Sequence, residues 1–554
     1  MRARWAVLVV AALALSGCGG IPTSGSVVPG SLFDEESDIN VAFDPNGPQP
    51  GATPQQILDG FILAATNPGD DYQVARSFLD ENIRSTWDPD EIMQIRSGIG
   101  VSRMESDTEG SYSLTSSAYV NARGQYLAES ATQTLPFTFA QNADGEWRIS
   151  SAPNGIVLSQ ATFNTIFEAH PLYFFDPTNK FLVPDLRWFP RTSKLANRIV
   201  TELLKGPLAL WVAGGVTSTY FPSGTELASS VSSTADATTV DLDATLLDAP
   251  AEQRPLMEQQ LRATLGSVSE ISLRVNDQPV DIPETSASPA TIHPQVASQL
   301  LVRQDDSFGF LSGAGAVSGL PGQSAEILDL GAVDAVLASD RKSTAVLAAD
   351  GVHLVVESDD DALLLDSRPG VIAPAIDNAG FVWTVPASDA TAIHVYDPQG
   401  NLTVIDGAQF VGQAISLTVS RDGARVLMLF ATDLGPRLSV AGIVRRDGVP
   451  TQLGAAEPLP VESRSIGLDA AWVDENTVAL LADTEGDGSA EVTLYTLGGP
   501  SISAGRVTSG VAIVGGNGGS NGLRVLTADG DVYLPRGNGW ADTNTSVSFL
   551  GTQQ

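Results

Sequence analysis

One cysteine, Cys18, occurs among 554 residues. A thiol used once cannot build a disulfide framework or a thiolate metal site. Four histidines are present. His353 in GVHLVVE and His394 in AIHVYD take similar places in successive strand-like segments, where partly buried structural imidazoles are expected rather than metal ligands. His170 precedes Pro171 in what reads as a loop, and His293 sits in SASPATIHPQVA, which reads as a solvated linker. The segment DTEGDGSAE places Asp483, Glu485 and Asp487 two residues apart with Gly488 after them, close to a calcium-loop pattern. It departs from that pattern at Glu485 and at Leu494, where a bidentate glutamate belongs, so an acidic hairpin is the competing reading. No HExxH, no Walker loop and no GxSxG occurs. The glycine-rich stretches GAGAVSG and GGNGGSNG lack a following amphipathic helix that could hold a phosphate, so both read as turns. Glycoside hydrolysis needs two facing carboxylates, and many aspartates here fall in turns. The chain therefore reads as non-enzymatic, with no cofactor and no firm metal site.

The neighbours of Cys18 give it a chemistry. MRARWAVLVVAALALSGC begins with Arg2 and Arg4, runs apolar from Trp5 to Leu15, and ends in small residues. This is the layout of a secretory signal, too short to span a bilayer. Leu15-Ser16-Gly17-Cys18 resembles the lipobox of bacterial lipoproteins. That resemblance implies cleavage between Gly17 and Cys18 and a diacylglycerol on the sulfur, which anchors far better than one acyl chain. Residues 1–17 are thus expected to be a signal peptide, and 18–53, rich in Gly, Pro, Ser and Asp, a flexible tether with a typical reach of roughly 30 Å. The net charge of −35 repels nucleic acid and disfavours flat adsorption on an anionic bilayer, leaving membrane attachment to the lipid.

Beyond the tether the chain changes character twice. In 54–152, helical spacing in PQQILDGFILAAT and YQVARSFLD gives way to strands in SYSLTSSAYVN, QTLPFTFAQ and EWRISSAP, an α+β order. This resembles the small domains of the nuclear-transport-factor-like superfamily, which hold a pocket between helix and curved sheet. Trp87 and Trp147 could line such a pocket, although large aromatics favour the core. In 163–283, YFFDPTNKFLVPDLRWF reads as a hairpin turning at Asp176–Asn179. SKLANRIVTELLKGP reads as a helix with Leu195, Ile199 and Leu203 in line, and RPLMEQQLRATLG as a second, flanked by strands. The ββ-α-β-α-β order with LLKGP resembles the GerMN domain. Residues 284–297 read as a linker.

From 298 to 554 the signal is all-β. Turn markers Asp340, Gly380, Gly423, Glu475 and Gly519 recur at intervals of 40, 43, 52 and 44 residues. A β-propeller shows such a period; a pair of β-sandwiches would not keep one. Five or six blades are expected. The whole layout, with SGCGGIPTSG, YFFDPTNKFLVPDLRWFPR, LLKGP and VSRDGARV, resembles the actinobacterial LpqB lipoprotein family. The resemblance implies an accessory protein of an MtrA–MtrB two-component system, on the extracytoplasmic face of the cell membrane. Its partner would be the outward-facing domain of the sensor kinase MtrB, with effects on cell-wall homeostasis and division. The alternative is a cell-envelope sensor that binds a sugar or lipid.

Overall fold

The computed structural model describes residues 45–554 apart from 235–236, 267–269, 297–298, 314 and 358–360. The expected signal peptide, Gly17, Cys18 and the tether up to residue 44 lie outside the described residues. All described residues belong to one unit spanning 31–554.

Thr53 starts α1 (Pro54–Ala64) through a capping box with Gln56, and Pro54 occupies the first turn, where its missing N–H costs nothing. The helix buries Ile57, Leu58, Phe61 and Ala64. The short helices α2 (Gln73–Ser77) and α3 (Glu81–Arg84) come next. All three lie beside an antiparallel sheet of β1 (Ile92–Met104), β2 (Glu109–Asn121), β3 (Tyr126–Leu127), β4 (Ala131–Gln141) and β5 (Trp147–Ser151). A sixth strand, β6 (Ile156–Ser159), pairs parallel with β1, so the sheet runs past residue 152. Its chain passes directly into α4 (Gln160–Ile166), whose Phe163 and Ile166 join the same core.

No loop separates this region from the next. Strand β7 (Phe167–Phe175) begins at the end of α4 and pairs along its length with β8 (Leu182–Pro190). The hairpin turns where expected because Asp176 accepts hydrogen bonds from the backbone N–H groups of Thr178, Lys180 and Phe181. His170, expected in a loop, lies instead in β7. It is buried and stacks on Phe189, and its pKa is lowered by that burial. Helices α5 (Leu195–Leu204) and α6 (Arg254–Leu265) bury Ile199, Leu203, Met257 and Leu261 against β7, β8 and a four-stranded sheet. That sheet contains β9 (Ser232–Ser233), β10 (Ala237–Leu242), β11 (Glu270–Val275) and β12 (Gln278–Pro279). The parallel β10–β11 pair is joined through α6, as parallel neighbours require.

The remaining residues form six sheets, five of four strands and the fourth of five, whose inner strands neighbour one another in a closed ring. The blade count, left between five and six by the sequence, is six. Each of the five turn markers sits between the first and second strands of its blade, numbers two to six. The first blade takes Phe549–Gly551 as its inner strand, paired with Leu301–Arg303, which closes the ring. Thr552, Gln553 and Gln554 then reach Gly515 of blade six, Ser339 of blade two and Val419 of blade four.

Candidate functional site

The three regions meet on β8. Arg187 is fully buried and grips Asp185 with two hydrogen bonds, Nε to Oδ1 at 3.0 Å and Nη2 to Oδ2 at 2.6 Å. Its remaining nitrogen donates to the Arg123 carbonyl at 2.9 Å, in the turn after β2. Asp185 accepts further bonds from the N–H groups of Leu208 and Ala209. The pair is therefore hydrogen-bonded on both partners, which a buried ion pair requires to be tolerated. The next residue, Trp188, touches all three regions. Its backbone N–H donates to Gly124 at 2.7 Å, its ring packs on Tyr126 and Phe163, and its indole N–H donates to Gly498 of blade five at 2.7 Å. Gly124 has φ +81°, and a side chain there would run into Phe189 and the Trp188 carbonyl. Arg123–Glu202 and Arg198–Asp90 ion pairs flank this contact.

The middle region also shares a core with the propeller. Val183, Trp211, Val212 and Val216 pack with Leu427, Leu438, Trp472, Leu480 and Leu497 of blades four and five. At the edge of this core, Glu475 accepts a hydrogen bond from the Tyr173 hydroxyl at 2.8 Å and pairs with His293 Nδ1 at 2.8 Å. His293 is thus docked rather than simply solvated: Glu475 raises its pKa, and its ring meets Tyr173 edge-on. The expected linker is pinned elsewhere too, by backbone bonds of Thr291 to Lys180 and Leu182 and by Asn517 on Val296.

The expected pocket residues part company. Trp87 is buried, packs edge-on against Phe61 and Tyr72, and donates from its indole to the Pro153 carbonyl. Trp147 is half-buried on β5 against the same core. Neither lines the groove that this region does possess, a cavity of about 600 Å3 between α1, β1, β2 and α4. Its lining includes Asp59, Ile62, Leu63, Arg96, Tyr112 and Ile166. Sequence reasoning misses it because its polar members are single residues scattered over separate elements.

The acidic hairpin does not gather a cation site. Asp483 accepts from the N–H groups of Glu485, Gly486 and Gly488, Asp487 accepts from that of Ser489, and Glu485 pairs with Arg506 at 2.8 Å. Among the described residues no group of three His, Cys, Asp or Glu side chains converges as metal ligands, these included. His353 bonds to Asp350 at 2.9 Å and His394 faces Tyr396. Two carboxylates lie on inner strands, Asp334 in blade two and Asp469 in blade five. Burial pushes Asp469 up to about 6 and Asp334 up to about 7, the latter helped by Asp469. Asp469 is engaged with the N–H groups of Ala470 and Ile513, which ties blade five to blade six. No helix among the described residues is long and apolar enough to cross a membrane.

Family models match in three consecutive blocks: "Lipoprotein LpqB, N-terminal domain" over residues 47–164, "Sporulation and spore germination" over 171–281, and "Lipoprotein LpqB beta-propeller domain" over 309–548. Lipoprotein LpqB of Cutibacterium acnes is 25% identical over 519 residues, covering 86% of this chain and 86% of the relative. That of Bifidobacterium longum is 23% identical over 563 residues, covering 96% and 95%. The Mycobacterium tuberculosis protein of the same name is 31% identical over 216 residues, covering 37% and 35%. Among solved structures, the tandem GerMN domains of GerM from Bacillus subtilis align at 18% identity and TM-score 0.19, over 26% of this chain and 58% of that one. A nidogen/laminin complex aligns at 10% identity and TM-score 0.34, over 46% and 97%. Structural likeness this slight carries no weight for the function of this chain.

Proposed function

The chain belongs to the LpqB lipoprotein family, and from that premise we propose that it is a lipid-anchored extracytoplasmic regulator acting by protein contact on a sensor kinase of the MtrB type. The observation that carries this reading is the similarity to named lipoproteins across 86% of the chain, which spans the N-terminal regions as well as the propeller. Cys18 is the attachment point in this reading, and cleavage falls between Gly17 and Cys18. The locked junction around Trp188 supports it further. A regulator that works by contact needs its surfaces held in fixed relation, and removing one partner of a buried pair such as Arg187–Asp185 is strongly destabilising. Catalysis plays no part in this proposal. Crosslinking of the anchored protein in intact membranes, followed by identification of the attached partner, tests it: recovery of the kinase supports the reading, and consistent recovery of other proteins without it removes the reading.

A second reading is favoured by one specific observation. The groove of about 600 Å3 in the N-terminal region falls within the range of about 300–1,000 Å3 typical of small-ligand sites. In this reading the protein senses a cell-envelope sugar or lipid there. A ligand retained through purification and lost when the groove is filled, for example by Thr162→Trp, supports it.

A further inference from the structure

The groove carries two opposite charges that form no ion pair among the described residues. Asp59, on α1, accepts from Gln55 Nε2 at 3.2 Å and from the Ser102 hydroxyl, and no basic side chain reaches it. Arg96, on β1, donates to the Gly98 carbonyl and meets no carboxylate. Arg96 and Asp59 line the same groove and do not meet each other there. Leaving both unpaired forgoes a Coulombic attraction that a ligand carrying both signs would recover on each side.

The other walls set what joins those charges. Ile62, Leu63, Val157 and Ile166 line the groove, a surface suited to an alkyl chain, where each buried methylene contributes to binding. The rim is apolar as well. Leu63 is 49% exposed, and Ile99, beside Gly100 of the lining, is 89% exposed. Gly100 itself admits no side chain, because a Cβ there would collide with the Tyr112 hydroxyl. Resting on the ligand-sensing reading above, we propose that this groove binds a single-chain zwitterionic amphiphile. Its anionic group sits on Arg96, its cationic group on Asp59, and its chain runs along Ile62, Leu63, Val157 and Ile166.

The test uses the full mature chain carrying Cys18→Ser, which needs no detergent. Calorimetric titration is run below micelle concentrations with lauroyl lysophosphatidylethanolamine, dodecyl phosphate and dodecyl maltoside. The zwitterion is expected to bind tightest, and Arg96→Gln and Asp59→Asn are each expected to weaken it at least about tenfold. Dodecyl phosphate separates the two charges: Arg96→Gln weakens it, Asp59→Asn leaves it unchanged or tightens it, and Arg96→Lys restores much of what Arg96→Gln loses. A zwitterion bound no tighter than the maltoside, and indifferent to both variants, overturns the assignment while leaving the groove a binding site. Binding of none of the three overturns the ligand-sensing reading as well.

Discussion

At the scale of residues, the junction of the three regions encloses a fully buried ion pair. Arg187 and Asp185 are enclosed together, with three backbone groups completing their hydrogen bonds. Arg187→Ala leaves Asp185 buried and uncompensated, so chemical denaturation should report a loss of about 3–5 kcal/mol. The double change Arg187→Met with Asp185→Leu removes both charges and should cost much less. Asp334 gives the opposite sign. Its carboxyl is raised to about 7 in the fold, against about 3.9 in an unfolded chain. Between those values the folded state holds a proton that the unfolded state has released, so stability falls as pH rises through this window and levels off above it. Asp334→Asn should therefore raise the melting temperature more at pH 8 than at pH 4; an equal gain at both would contradict the assignment. These residues are the least legible in the sequence. A buried Arg or Asp looks there like any surface charge, and the Arg123 carbonyl that Arg187 reaches lies in the turn after β2, far along the chain. His293 reads as solvated for the same reason, since Glu475 is 182 residues away. Trp87 can be weighed in the sequence only by its type, which favours the core, and the core is where it lies.

At the scale of elements, periodicity makes most of the fold readable. The i, i+4, i+8 line of Leu195, Ile199 and Leu203 gives α5, and the Asp176–Asn179 turn gives the β7–β8 hairpin because a side-chain-to-backbone turn is local. Strand β6 escapes because four residues, IVLS, carry no period and its parallel partner lies some sixty residues earlier. The first blade escapes the turn-marker spacing because its inner strand comes from Phe549–Gly551, which breaks the repeat. The element that touches all three regions is β8. Trp188→Ala removes contacts to the N-terminal sheet and to blade five at once. It should cost about 3 kcal/mol and open new protease cleavage between the regions. Unchanged cleavage kinetics would show that the shared core around Trp211 alone holds the regions together.

At the scale of the whole molecule, a charge of −35 disfavours adsorption on anionic surfaces, so in the proposed reading attachment falls to the lipid on Cys18. Cys18→Ser should move the protein from the membrane fraction to the soluble extracytoplasmic fraction, or leave it unprocessed with Gly17 still attached. Retention of anchored, cleaved protein would remove the lipid from the proposal. The central claim is contact with a sensor kinase, and the most direct measurement is titration of the full mature chain, carrying Cys18→Ser, against the folded extracytoplasmic domain of an MtrB-type kinase from the same organism. Saturable one-to-one binding is predicted, weakening when Trp188→Ala loosens the junction. Absence of binding at concentrations well above those found at a membrane surface would contradict it.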